Sequence, residues 1–132
     1  MMKQLLEDIA KNVKIYHGKG VPITEIEKAE KALGISFSDE YKEYLKEVGS
    51  LSFFSHEFMG LGVDGYLNVV EATMSERELD NDFPSDCILL ENDGIEGILI
   101  LHDETGAVYS YVKGKKIKIS DSLFDFLKSL HE

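Results

Sequence analysis

Residues 38–49 spell out a complete helix, and a helix with a single apolar face must bury that face against something else in the chain. Ser38 offers a hydroxyl oxygen to the orphan backbone N–H groups of a first turn, and Asp39 and Glu40 put negative charge at the positive end of the helix dipole. Tyr41, Tyr44, Leu45 and Val48 recur along one side, and Gly49 ends the run. Upstream, Thr24-Glu25-Ile26-Glu27 has the form of a capping box and Gly34 supplies a left-handed stop, which predicts a helix over residues 25–33. Leu5, Leu6, Ile9 and Val13 at helical spacing predict an earlier helix over residues 2–13, ending before a loop at Gly18 and Gly20.

After Gly49 the apolar runs shorten to strand length. Leu51 to Phe54 and Glu57 to Leu61 read as extended, broken by Gly60, Gly62 and Gly65. Asn68 caps a fourth helix over residues 69–79, with Val69, Val70, Thr73 and Met74 as its buried side. Cys87–Glu91, Gly97–His102, Ala107–Val112 and Lys116–Ile119 follow as strands. The clusters between them, Asn92-Asp93-Gly94, Asp103-Glu104-Thr105-Gly106 and Lys113-Gly114-Lys115, have the residues of tight turns and suggest an antiparallel meander. Ser120 or Asp121 caps a last helix whose Leu123, Phe124, Leu127 and Leu130 face inward. The expectation is a single α+β domain spanning residues 1–132, with N-terminal helices and a C-terminal helix packed on one antiparallel or mixed sheet. No repeat, linker or low-complexity segment divides it.

Charge is distributed unevenly. The net charge is −11, and residues 1–48, 49–112 and 113–132 contribute −1, −12 and +2. The middle segment holds 13 acids and one base, Arg77, the only arginine of the chain. Nucleic acid and anionic membranes reward clusters of Lys and Arg, so neither is an expected partner. Two readings remain open, a solvated surface that maintains solubility and an acidic face meant for a basic partner. The lone Cys87, in the apolar run Cys87-Ile88-Leu89-Leu90, rules out an intramolecular disulfide and fits a reducing cytoplasm. Glu7 and Asp8 fall where a signal peptide needs apolar residues, and no run is long enough to cross a bilayer, so neither secretion by that route nor a membrane span is expected.

Catalytic signatures are weak. His17, His56, His102 and His131 are scattered, and His56-Glu57 lacks the second histidine of a zincin helix. A metal-dependent hydrolase built from His56, Glu57, His102 and Asp103 stands as a minor reading. Asn92-Asp93-Gly94 lacks the alternating oxygens of a calcium loop, Cys87 has no adjacent base, and the glycines fall singly instead of forming a phosphate cradle. No metal or cofactor is implied. Phe53, Phe54 and Phe58 read as core, with one of them open to use as an interface anchor, and Tyr41 and Tyr44 read as core. On the residues alone this is a domain that works by binding.

A resemblance sharpens that reading. Ile26, Glu30, Leu33-Gly34, Phe37, Tyr41, Leu45 and Gly49 fall in the order and spacing of the opening motif of the SUKH superfamily. Glu57-Phe58-Met59-Gly60-Leu61, Val69-Val70-Glu71-Ala72-Thr73, Asp103 to Tyr109 and Phe124-Asp125-Phe126-Leu127 resemble the family's later segments, so the resemblance covers essentially the whole chain. The family usually has Pro where Ser38 stands and often a second Gly where Ser50 stands; Ser38 starts a helix by capping where Pro would do so by fixing φ. The resemblance implies a cytoplasmic bacterial immunity protein, not an enzyme, that binds a polymorphic secreted toxin domain, frequently a nuclease. Fungal relatives act in regulation of cell-wall synthesis, which leaves an adaptor for a host protein or small ligand as the alternative. An inhibitor of a basic nuclease gains from mimicking the charge of its substrate, and Glu76, Glu78, Asp80, Asp82 and Asp86, between the fourth helix and the next strand, are the expected contacts.

Overall fold

Ser38 does cap its helix: its Oγ accepts from the Tyr41 N–H at 3.0 Å, and α3 runs Asp39–Glu47. The computed structural model describes residues 2–94 and 97–130; Met1 and His131 lie outside them. Tyr41 and Tyr44, one turn apart, stack at 5.3 Å between centroids and are fully buried. Their hydroxyls donate to the carbonyls of Met59 and Phe58, so the helix is tied to the strand layer by polar as well as apolar contact.

The first helix, α1, is Met2–Ala10, shorter than the spacing predicts, because residues 15–17 leave it to pair with another strand. That strand, β1 (Ile15–His17), falls where the sequence reads as loop. It lies antiparallel to β2 (Leu51–Phe53), which pairs in turn with β3 (His56–Phe58), giving a three-stranded sheet. α2 is Ile23–Leu33 and starts two residues before the predicted position. Pro22 occupies the N-cap at φ −72°, and Thr24 makes no capping bond. The physical reason is that the Val21 N–H is drawn to the Leu45 carbonyl of α3 at 3.0 Å, which fixes the chain just ahead of Pro22. Gly34, at φ 69°, ends α2 as expected.

Asn68 caps α4 (Val69–Leu79), its side-chain oxygen accepting from the N–H groups of Val70 and Glu71. Val69, Ala72 and Thr73 are buried; Val70 is half-buried and Met74 is exposed, so the inward face is turned from the predicted one. A second antiparallel sheet has the order β4 (Cys87–Asn92), β5 (Leu99–Asp103), β6 (Val108–Val112), β7 (Lys115–Ser120). The predicted meander is present, but the strands form two sheets instead of one, joined where the Met59 N–H donates to the Leu90 carbonyl. β5 is buried throughout, whereas β7 is a lysine-rich edge exposed along nearly its whole length. α5 (Leu123–Ser129) is capped by Ser122, just beyond both predicted positions, Ser120 and Asp121. Its start is drawn onto Glu40 of α3, whose carboxylate accepts from the Ser122 hydroxyl and the Leu123 N–H. Leu123, Phe124, Phe126 and Leu127 are buried there, while Leu130 is half-buried.

The result is an α+β domain with its helices on antiparallel sheets. Two glycines mark where segments cross. A Cβ on Gly60 would lie 1.7 Å from the Gly49 carbonyl oxygen, and Gly49 itself has φ 75°. No helix among the described residues is long and apolar enough to cross a membrane.

Candidate functional site

The cap at Asn68 also positions a cleft. Glu71, in the first turn of α4, accepts from the Gly65 N–H at 3.1 Å and so holds the 3₁₀ turn Gly65–Leu67 against the helix. Ala72, Ser75 and Glu76 follow on the same side of α4 at helical spacing. Met59 and Leu89 floor the space, Tyr66 and Asn92 close its sides, and the cleft encloses about 340 Å³. Partial burial, and then the nearby Asp80 carboxylate, push the Glu76 carboxyl above the ordinary value. An apolar floor beneath two carboxylates suits a long side chain with an aliphatic stem and a cationic head.

The five sequence candidates do not gather at this place. Glu76 lines the cleft, and Glu78 and Asp82 are exposed beyond it. Asp80 is committed inside the fold: its carboxylate accepts from the Tyr111 hydroxyl at 2.5 Å and from the Asp82 N–H at 2.9 Å. Burial first and Asp80 second push the Tyr111 hydroxyl up to about 12. Asp86 opens onto a separate cleft of about 720 Å³, shared with Glu30, Lys31 and Glu104. Arg77, among these acids in sequence, turns inward. Its guanidinium donates to the Leu33 carbonyl at the end of α2 and to the Ser85 carbonyl, which ties α4 to the loop carrying Asp80, Asp82 and Asp86.

Other titratable groups are held by the fold. Burial pulls His102 down to about 4; its Nδ1–H donates to the Ala107 carbonyl, which leaves Nε2 to accept from the Ser38 hydroxyl. Burial pushes the Cys87 thiol up to about 12, with Asp86 adding to it. Burial acts to raise Asp103, but bonds from Thr105, Tyr109 and Ala107 outweigh it and hold the carboxyl below the ordinary value. His56 Nδ1 sits 2.8 Å from the buried Glu91 carboxylate. The residues of the hydrolase reading are thus engaged at separate places, and no group of three or more metal-ligating side chains occurs among the described residues.

An architecture of helices on antiparallel strands, with carboxylate-lined clefts, is compatible with a binding domain. The family profile SUKH_5, described as SMI1-KNR4 cell-wall, matches residues 2–132. The chain belongs to the SUKH superfamily. Comparison with curated proteins gives no match. Members of the SUKH superfamily are generally immunity or regulatory proteins, and membership is compatible with either role for this SUKH domain. Sequence reading of the SUKH domain passed over Tyr66 and Glu71 as site residues. A signal for Glu71 was present: an Asn cap followed three residues later by Glu fixes that carboxylate in the first turn of the helix.

Proposed function

We propose that this protein is an immunity protein that binds a cognate secreted toxin domain and neutralises it by occlusion, the toxin being a basic domain of the nuclease class. The observation that carries the reading is the concentration of 13 acids and one base within residues 49–112 of a SUKH chain. Arg77 is half-buried and bonded to backbone carbonyls, so the end of α4 and the loop after it present Glu78, Asp82 and Asp86 with the one nearby arginine already engaged. A nuclease must hold phosphates with positive charge, and an acidic surface speeds encounter with such a domain.

The deciding experiment is a rescue assay. The C-terminal toxin domain encoded beside this gene is expressed in a sensitive host with and without the protein, and binding is measured by calorimetry. Rescue with tight one-to-one binding supports the reading. Absence of an adjoining toxin gene, or neither rescue nor a complex, removes it. The family description itself favours a second reading, a regulatory adaptor for a host protein or small ligand. Such an adaptor has no reason to lie beside a toxin gene, and a pull-down from its own host is the experiment that finds its partner.

A further inference from the structure

The strand register places Tyr16 opposite Ser52 and Ser52 opposite Glu57, so these three form a row across one face of the small sheet. Leu51, Phe53 and Phe58 are buried, and Phe53 lies between Ile15 and His56 in the alternate register row. The Tyr66 hydroxyl donates to both Glu57 oxygens, at 3.3 and 3.1 Å, and continues the row into the cleft with Glu71 and Glu76. Tyr16, Phe54 and Tyr66 are 59%, 65% and 69% exposed, and every other described Phe or Tyr ring is buried or half-buried. All three exposed rings therefore belong to this sheet or to the turn beside it. Phe54, at the hairpin tip, also has φ 54°, a left-handed conformation that costs a non-glycine residue about 1 kcal/mol. That φ closes the two-residue turn between Phe53 and His56, whereas the ring itself stays in solvent, and exposed rings gathered on one surface mark a binding face better than a core.

We infer that this face, from Tyr16 through Glu57 and Tyr66 into the α4 cleft, is the surface on which an arginine-presenting face of a partner protein docks. The partner's role as the toxin rests on the function proposed above. Charge complementarity selects the occupant: among the described residues Glu57, Glu71 and Glu76 have no ion-pair partner. A guanidinium forks onto Glu57 while stacking on the exposed Tyr66 ring, and its methylene stem covers Met59, Ala72 and Leu89. Tyr16 already carries a cation, the Lys14 ammonium 5.3 Å from its ring centre, so the incoming charge is received at the Tyr66 end.

The test titrates the isotope-labelled protein with a hexa-arginine peptide at low ionic strength and follows its amide resonances. The largest shifts are expected at Ser52, Glu57, Gly65, Tyr66, Glu71 and Glu76. A Glu57→Gln, Glu76→Gln variant is expected to bind the peptide about tenfold more weakly, whereas Glu27→Gln, Glu47→Gln, with the same change of charge on α2 and α3, stays within about twofold. Shifts spread over all the acids, shifts centred on residues 78–86, or equal weakening by both variants overturn the proposal. Resonances of the row that instead move with protein concentration in the absence of peptide show a second copy covering the face, which also overturns it. The rescue assay separates the two readings. Loss of rescue by the wild type removes the toxin while leaving the peptide result to decide the surface, and full rescue by the Glu57→Gln, Glu76→Gln variant removes the surface while leaving the toxin.

Discussion

The Ser38 Oγ stands 2.6 Å from the Nε2 of His102, 64 residues away, while accepting from the Tyr41 N–H. One hydroxyl thus starts α3 and fastens it to the middle of the four-stranded sheet. Ser38→Ala removes a helix cap and leaves a buried imidazole nitrogen unpaired, an expected loss of about 2 kcal/mol in urea unfolding. Ser38 has φ −65°, the angle proline prefers, so Ser38→Pro is expected to recover part of that loss by starting the helix without supplying the bond to His102. Equal stability of all three proteins would remove both roles.

His102 makes stability depend on pH. Its folded pKa, drawn down to about 4 by burial, lies below the ordinary 6.5, so between those values the unfolded chain binds the proton more readily. Stability is therefore complete above pH 6.5 and falls as pH drops towards 4, by about 3 kcal/mol from this residue. Urea midpoints at pH 4.5, 5.5 and 7 for the wild type and His102→Gln check the sign. The variant is less stable at pH 7 but shows a shallower slope below 6.5.

Gly60→Ala is expected to be severely destabilising, by about 3 kcal/mol, because its Cβ meets the Gly49 carbonyl oxygen at 1.7 Å and neither backbone can yield independently. Gly65→Ala has open space around its Cβ and pays only for φ 79°, about 1 kcal/mol. Thermal unfolding of the two variants should rank them in that order.

The candidate acids separate by role. Asp80→Asn weakens the bond from the Tyr111 hydroxyl and is expected to lower stability by about 1 kcal/mol. A combined Glu76→Gln, Glu78→Gln, Asp82→Asn, Asp86→Asn variant is expected to keep its stability but associate with the toxin domain about tenfold more slowly and with weaker salt dependence. Stopped-flow association at two salt concentrations reads the effect, and unchanged kinetics would remove the charge-mimicry mechanism while leaving neutralisation intact.

Helix starts and stops were legible because their signals are local. Ser38 with Gly49, and Asn68 ahead of Val69, each satisfy backbone groups within a turn or two. β1 was not, since Ile15–His17 becomes a strand only through Phe53, Ser52 and Leu51 beyond two intervening helices. Glu91 was unreadable for a related reason. The register shift between Leu89 and Glu91 sets Glu91 opposite Ile100, and its carboxylate ends buried against His56, an outcome no alternation of residue types announces. The row Tyr16, Ser52, Glu57 and Tyr66 is likewise a product of pairing, and its members look unremarkable one at a time.

The inward turn of Arg77 restricts how this molecule can speak to others. Its only planar forked donor is half-buried and already bonded to the carbonyls of Leu33 and Ser85, so what the surface offers freely is carboxylates, hydroxyls and lysine ammoniums. Any two-pronged grip on a carboxylate across an interface must then be supplied by the other molecule, and recognition becomes asymmetric in grammar: this chain provides the acceptors, and its partner brings the fork.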